Sequence, residues 1–375
     1  MTETITQSDA KDTITPRAYR LVVLWAAGIL LLYAIGGYFG IRQLQHYKAE
    51  TEKLRQAMIG APTTDHVVPL SELTLPAMPR PVDVHVGMYI NSMGEFAVKE
   101  SAWAADFDIW FRWSGDGIRP GDTFQVVNGQ IDQRDKKDAY VAGGQHYERY
   151  HVKARLTKFF DASRFPFSDH GLTIQVEDGA HKAERLRYIV DEQESGINRS
   201  GVPQALKITK SLATVKLHNY ESRRGDPRLS SNTADVRSRF IFGMLVSPPG
   251  SMLYLKMFQA LFASVAIGLI VFFIKPIHVD PRFGLGIGAL FAAVGNNIFV
   301  GSMLPPAEGI TLVAMINAIG LATIFLTLVQ SAISLYIEDT MGQEKPRQFF
   351  DKVSFVVFLM GYVVVNLLLP IAARP

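Results

Sequence analysis

The 375-residue sequence contains no cysteine, which excludes disulfides, thiolate metal sites and cysteine nucleophiles together and leaves the redox compartment unmarked. An excess of charge of one sign is also missing. The 38 Lys and Arg against 35 Asp and Glu give a formal net charge of +3, too small to point to nucleic acid, and no block of like charge forms a tail. Catalytic signatures are absent: there is no nucleophile elbow and no phosphate-cradling glycine loop, and none of the nine histidines pairs with another at i,i+4. Neither an enzyme nor a resident cofactor or metal is expected. Asn198-Arg199-Ser200 fits a glycosylation acceptor, a pattern of low specificity.

What the sequence does have is long apolar runs. Four of them, at 252–274, 283–304, 310–336 and 353–373, follow one another closely, and each is long enough for a hydrocarbon core that needs about 20 residues. Their short connections imply antiparallel neighbours packed as a four-helix bundle. No inverted internal repeat or broken helix pair suggests a secondary transporter. A fifth run, 21–41, lies behind Arg17 and Arg20. Its start resembles a secretory signal ending at Ala34-Ile35-Gly36, but the run continues to Arg42, so an uncleaved N-terminal transmembrane helix is the favoured reading.

Orientation follows from basic residues in short loops. Lys275 and Arg282 flank the first connection and Lys345, Arg347 and Lys352 the third, whereas 304–309 has none. The first and third connections, with Lys11, Arg17 and Arg20, are expected on the cytoplasmic side. The large domain and the C-terminus then lie outside.

Between the N-terminal run and the bundle, 42–58 is charged and compatible with a helix, and Pro62, Pro69, Pro76 and Pro79 suggest a spacer. From Val82 the pattern changes to short β-rich runs. In 101–113, Trp103, Ala105, Phe107, Ile109, Phe111 and Trp113 share one face and Asp106, Asp108, Trp110 and Arg112 the other. Tyr150, Val152, Ala154 and Leu156 alternate with polar residues in 147–156, as do Leu172, Ile174 and Val176. Further strands are expected at 82–91, 123–128, 186–190, 206–210, 213–220 and 237–246. About ten short strands without helices between them imply an antiparallel β-sandwich. The expected layout is a cytoplasmic tail at 1–20, a transmembrane helix at 21–41, a linker at 42–80, an extracytoplasmic β-sandwich at 81–250 and a four-helix transmembrane domain at 251–375.

Four segments carry a resemblance: Val-Gly-Met-Tyr-Ile-Asn at 86–91, Asp-Phe-Asp-Ile-Trp-Phe-Arg-Trp at 106–113, Phe-Gln-Val-Val-Asn-Gly at 124–129 and Arg-Phe-Pro-Phe-Ser-Asp at 164–169. Together with the four-helix tail and Leu304-Pro305 at the end of its second run, they resemble the prokaryotic pentameric ligand-gated ion channels over about 82–373. The departures are the additional N-terminal helix, an acidic residue displaced to Asp169 by Ser168, and Ser247-Pro248-Pro249-Gly250 where a basic pair is usual.

The resemblance implies a homopentamer in the bilayer of a bacterial inner (plasma) membrane, with the large domain in the periplasm or outside the cell, gated by a small-molecule or ion ligand that the sequence does not identify. It implies that the second helix of the bundle lines the pore, with Asp280, Gly284, Gly288, Phe291, Gly295, Ile298 and Ser302 on one stripe. Asp280 would form a carboxylate ring favouring cations unless Arg282 offsets it, and Phe291 an apolar constriction. Gly284 and Gly288 equally fit close packing against a neighbouring helix. Coupling residues implied are Glu95, Phe165, Pro166, Phe167, Pro305 and Pro306. Ligand-site residues implied are Asp108, Trp110, Tyr147, Arg149 and His151 on one wall, and Glu177, Tyr220 and Arg223 on the other, although charged residues on a strand are ordinarily solvated surface. The alternative is a non-conducting membrane sensor or accessory protein that retains the channel fold.

Overall fold

A computed structural model of the chain describes residues 16–59, 80–203, 206–220, 222, 235–306, 309–341 and 344–374. It divides into two compact units. One comprises 1–50, 161–168 and 250–375, the other 51–160 and 169–249.

The described residues of the second unit form ten strands: β1 (Val82–Ala97), β2 (Ala102–Ser114), β3 (Phe124–Val126), β4 (Gly129–Ala142), β5 (Gln145–Thr157), β6 (His170–Asp178), β7 (Leu186–Val190), β8 (Gly196–Ile197), β9 (Lys207–Tyr220) and β10 (Asp235–Ser247). They form two sheets. One runs β4-β5-β2-β1-β7 with β8 paired to β1, the other β3-β6-β10-β9. The alternation read in β2 holds, with Trp103, Ala105, Phe107, Ile109, Phe111 and Trp113 all buried. Val84, Val86, Met88 and Ile90 from β1, Val152 from β5, Ile174 from β6 and Phe240 and Phe242 from β10 join them in one contiguous apolar cluster. Both sheets thus contribute to a single core, which is what a period of two with one buried face produces.

Three expectations change. The larger sheet is mixed, because β7 and β8 pair parallel to β1, with Val82 opposite Leu186 and Tyr89 opposite Gly196. The strand β4 was not anticipated. Its sequence, rich in Asp, Lys and Arg, has no apolar alternation, and it forms because β5 supplies a hydrogen-bonding partner along its length. The segments 206–210 and 213–220 are one strand, β9, with an irregularity opposite Leu245 and Val246 instead of a break. A single helical turn, Pro120–Thr123, precedes β3.

Among the described residues, five helices are long and apolar enough to cross a membrane. We label them α1 (Pro16–Ile59), α2 (Gly250–Ile270), α3 (Val279–Ser302), α4 (Leu312–Met341) and α5 (Glu344–Ala373). The helix α1 does not stop at Ile41. Its 44 residues amount to about 66 Å, because 42–59 contains good helix formers and no proline or glycine. The helix α5 starts nine residues before the apolar run, with Pro346 in its first turn, where a missing N–H costs nothing.

Within its unit, α1 leans on α4 and α5. Tyr33 covers Gly361, its hydroxyl lies 2.7 Å from Thr323 Oγ1, Gly40 faces Leu369 and Met315, and Trp25 sits 5.9 Å from the Phe350 ring. Small residues at these points allow close approach of helices in an apolar medium. Leu24, Leu31 and Phe39 on the opposite side of α1 are exposed.

The two faces of the strands make a direct test. Phe107→Ala removes a fully buried ring and is expected to destabilise the protein by about 3–5 kcal/mol, whereas Lys153→Ala on the exposed face of β5 should change stability by no more than about 0.5 kcal/mol. Chemical denaturation of the purified protein, followed by tryptophan fluorescence, distinguishes them.

Candidate functional site

The helix α3 separates into two opposite faces. Arg282, Gly286, Ala289, Ala293, Asn296 and Val300 are buried, at spacings of three and four that keep one side of a helix turned inward. These residues are small or polar. The Leu328 side chain occupies the space beside Gly286, and Asn296 Nδ2 donates to Asn317 Oδ1 at 3.3 Å. The amide pair satisfies polar groups that would otherwise be orphaned.

The other face carries every residue of the stripe proposed from sequence. Asp280, Gly284, Gly288, Phe291, Gly295, Ile298 and Ser302 are all exposed within the chain. Phe291 is 73% and Ile298 68% exposed. Nothing lies within 4 Å of the position a Cβ would take at Gly284, Gly288 or Gly295, so these glycines do not serve packing inside the subunit. Only 28% of the apolar span of α3 is buried, against 50% for α2 and for α4. Among the described residues, the other helices leave this face uncovered.

Arg282 points the opposite way from Asp280. It is completely buried, donates to the Ile274 carbonyl at 3.0 Å and pairs with Asp351 Oδ1 at 3.3 Å. Asp351 also accepts from Gln330 Nε2 at 2.6 Å and Arg347 Nη1 at 3.1 Å, and Arg347 Nε lies 3.3 Å from Glu338 Oε2. The base of α3 is therefore tied by charge to α4 and α5. This removes Arg282 from the face that carries Asp280. Arg282, named from sequence as a residue that could offset the Asp280 field, is engaged with Asp351 and Ile274 on the buried side.

The loop 161–168, flanked in sequence by β5 and β6, belongs to the helical unit. Phe165 and Phe167 are buried, not spread on an outer surface. The Ser163 carbonyl accepts from Leu312 N at 2.9 Å, which satisfies a free donor in the first turn of α4. Arg164 Nη1 donates to the Ala373 carbonyl at 3.3 Å, at the last turn of α5. Phe167 packs on Tyr254 with ring centres 5.8 Å apart, and the Arg374 guanidinium lies 5.8 Å from its ring. A Cβ at Gly250 would come within 2.7 Å of Phe167 Cδ1 and 3.0 Å of the Pro166 carbonyl oxygen, so the start of α2 admits no side chain there. The departure noted at Ser247-Pro248-Pro249-Gly250 thus ends in a glycine that accommodates the loop. Inside α5, Pro370 has no N–H to offer, and the Tyr254 hydroxyl reaches the Asn366 carbonyl that it leaves free, at 3.4 Å.

The remaining coupling residues are less informative. Pro305 is buried and Pro306 exposed after α3. Glu95 falls in β1 where its register with β2 shifts between Met93 and Phe96, and the Glu95 side chain lies outside the described residues.

The candidate ligand residues form two separate clusters on the two sheets. On the larger, His151 Nδ1 is 2.9 Å from Asp108 Oδ1, Arg149 is 3.6 Å from Asp108 and 2.7 Å from Asp138, and Tyr147 packs on Tyr140 at 5.0 Å. The Asp138 hydrogen bond raises Arg149 above its ordinary value, and burial raises Tyr147. Trp110 does not present a free ring. It lies over Gly87 and donates to Asp191 Oδ2 at 3.1 Å, which also takes Arg112 at 2.7 Å. On the smaller sheet Glu177 is completely buried and held by Arg239 at 2.6 Å and the Tyr220 hydroxyl at 2.7 Å. Arg223 lies outside the described residues. Asp191, Arg239 and Asp351 were missed from sequence. The only signals were an arginine alternating outward in β10 and a carboxylate immediately before an apolar run.

No family model matches this chain, and no curated protein matches it.

The network around Arg282 makes a distinct expectation. Arg282→Met should destabilise the protein by about 3–5 kcal/mol, and Arg282→Met combined with Asp351→Leu should cost less than the sum of the two single variants, because both act on one buried network. Thermal unfolding of the purified single and double variants checks it. Strictly additive losses would show that the two residues do not act as a pair in holding α3.

Proposed function

We propose that this chain is the subunit of a homopentameric ligand-gated ion channel of a bacterial inner membrane. The observation that carries the reading is the bare stripe of α3, which lies opposite the helix's buried face and has no packing partner among the described residues. In a ring of five copies this stripe would surround a lumen, with the two-sheet unit as a β-sandwich outside the cytoplasm and α2–α5 as the four-helix bundle of each subunit.

Asp280 would then contribute five carboxylates at the cytoplasmic mouth. It sits in the first turn of α3, where the helix dipole favours negative charge, and Arg282 is occupied elsewhere. Cation preference follows from this arrangement. Phe291 is the widest apolar side chain on the stripe and would form the constriction. The loop around Phe167 supports a coupling role because it satisfies or covers the ends of α2, α4 and α5 while its flanking strands belong to the other unit. Ligand energy can open a pore only by favouring one arrangement of such a junction. The polar faces around Asp108, Arg149 and His151 would provide the ligand wall. No reaction is assigned to the protein.

Ionic current through purified protein in a planar bilayer tests the reading. Phe291→Ala is expected to raise the open probability or leave the channel constitutively open, and Asp280→Asn to reduce the cation-over-anion permeability ratio by several-fold. Silence from the wild type and both variants, with an intact pentamer confirmed by native mass spectrometry, would favour a non-conducting sensor with the same fold.

A further inference from the structure

In the β-rich unit, on residues next in register to the clusters around Asp108 and Glu177, an aromatic and acidic site already holds cations supplied by the chain itself. Phe124 and Tyr150 are buried with ring centres 5.4 Å apart at an interplanar angle of 70°. The Arg134 guanidinium carbon lies 4.0 Å from the Phe124 ring centre and 5.0 Å from that of Tyr150. Its nitrogens donate to the carbonyl oxygens of Gly121 and, at 3.5 Å, Phe124. Beside it, Lys136 Nζ is 3.1 Å from both Asp122 Oδ1 and Glu148 Oε1 and 5.3 Å from the Tyr150 ring centre. The Tyr150 hydroxyl lies 3.1 Å from Asp122 Oδ1 and 3.0 Å from Glu148 Oε2.

Every recognition element for an organic cation is present: π faces, two carbonyls set for a guanidinium fork, and carboxylates. The hydrogen bond from Lys136 holds the Asp122 carboxyl below its ordinary value, and burial pushes the Tyr150 hydroxyl up to about 12, so at neutral pH one is charged and the other remains a donor. Gly121 leaves the room: a Cβ there would collide with Glu148 and the Tyr150 ring.

Arg134 is presented by a strand at the edge of its sheet. The strand β4 is an edge strand paired only with β5, and its register slips on both sides of Arg134, between Ile131 and Gln133 and between Lys136 and Asp138. Bulges of this kind re-aim a side chain, and withdrawing one from an edge strand disturbs no second partner.

We propose that the Phe124–Tyr150 site is a binding site for a small guanidinium-bearing molecule, and that Arg134 occupies it as a tethered competitor. With Arg134 and Lys136 balancing Asp122 and Glu148, the filled site is neutral. Removing Arg134 leaves one net negative charge and an open cage. The proposal concerns binding alone and stands or falls independently of ion conduction.

The test uses the full-length protein in detergent, with methylguanidinium chloride as probe and sodium chloride at equal ionic strength as control, read by thermal shift and isothermal titration. Arg134→Ala is expected to bind methylguanidinium saturably, at least about tenfold more tightly than the wild type, because the site no longer spends most of its time filled. Adding Asp122→Asn should reverse most of that gain. Arg134→Gln, which keeps more of the side-chain volume, provides the same comparison if the alanine variant does not fold. Equal responses of the wild type and the Arg134 variants, no saturable binding, or failure of both variants to fold would overturn the proposal, the last by making Arg134 a structural staple.

Discussion

The ion pair between Arg282 and Asp351 fixes which way α3 faces. A guanidinium sealed among α3, α4 and α5 cannot be left there without its carboxylate without a cost of several kcal/mol. With Arg282 held inward, helical geometry places Asp280, Gly284, Gly288, Phe291, Gly295 and Ile298 on the outward side. The proposed pore stripe is therefore a consequence of where a buried charge sits. Gly286 and the Asn296–Asn317 pair continue the same buried side toward the far end of the helix.

A second constraint acts at the opposite end of the helices. Helix termini carry unpaired backbone groups, and an apolar medium supplies no water to satisfy them. The loop 161–168 supplies partners: Ser163 to the start of α4 and Arg164 to the end of α5, while Phe167 fills the space above Gly250 at the start of α2. Tyr254 performs the same service for the carbonyl freed by Pro370. A segment whose own neighbours in sequence are strands thereby becomes part of the helical unit. Hydrogen bonds link it to the helices, and covalent continuity links it to β5 and β6.

Features with a short period and one buried face were legible in the sequence. The alternation in β2, β5 and β6 and the four late apolar runs translate directly into elements, because burial alone specifies them. The strand β4 was not legible, since pairing with β5 and not burial stabilises it, and its charges are those expected of a protected edge. Helix ends moved where local chemistry decides them: Pro346 within the first turn of α5, and the unbroken run of helix formers after Ile41 in α1. The stripe on α3 could be drawn from spacing, but the direction of Arg282 could not, because its partner lies 69 residues away. The same holds for Trp110 and Glu177, whose polar atoms are claimed by Asp191 and by Arg239 and Tyr220. A sequence displays the residues that suit a ligand without showing that the fold has already used them.

The absence of cysteine makes the central claim directly measurable. Single cysteines at Gly284, Gly288 and Ile298 on the bare stripe, and at Ala289 and Ala293 on the buried one, would be challenged with a charged, membrane-impermeant thiol reagent applied to both sides of reconstituted vesicles. A water-filled lumen requires modification at the first three positions and protection at the last two. Protection of the bare stripe in an intact, folded protein would mean that it faces lipid or another helix, and would contradict its assignment as the wall of a pore.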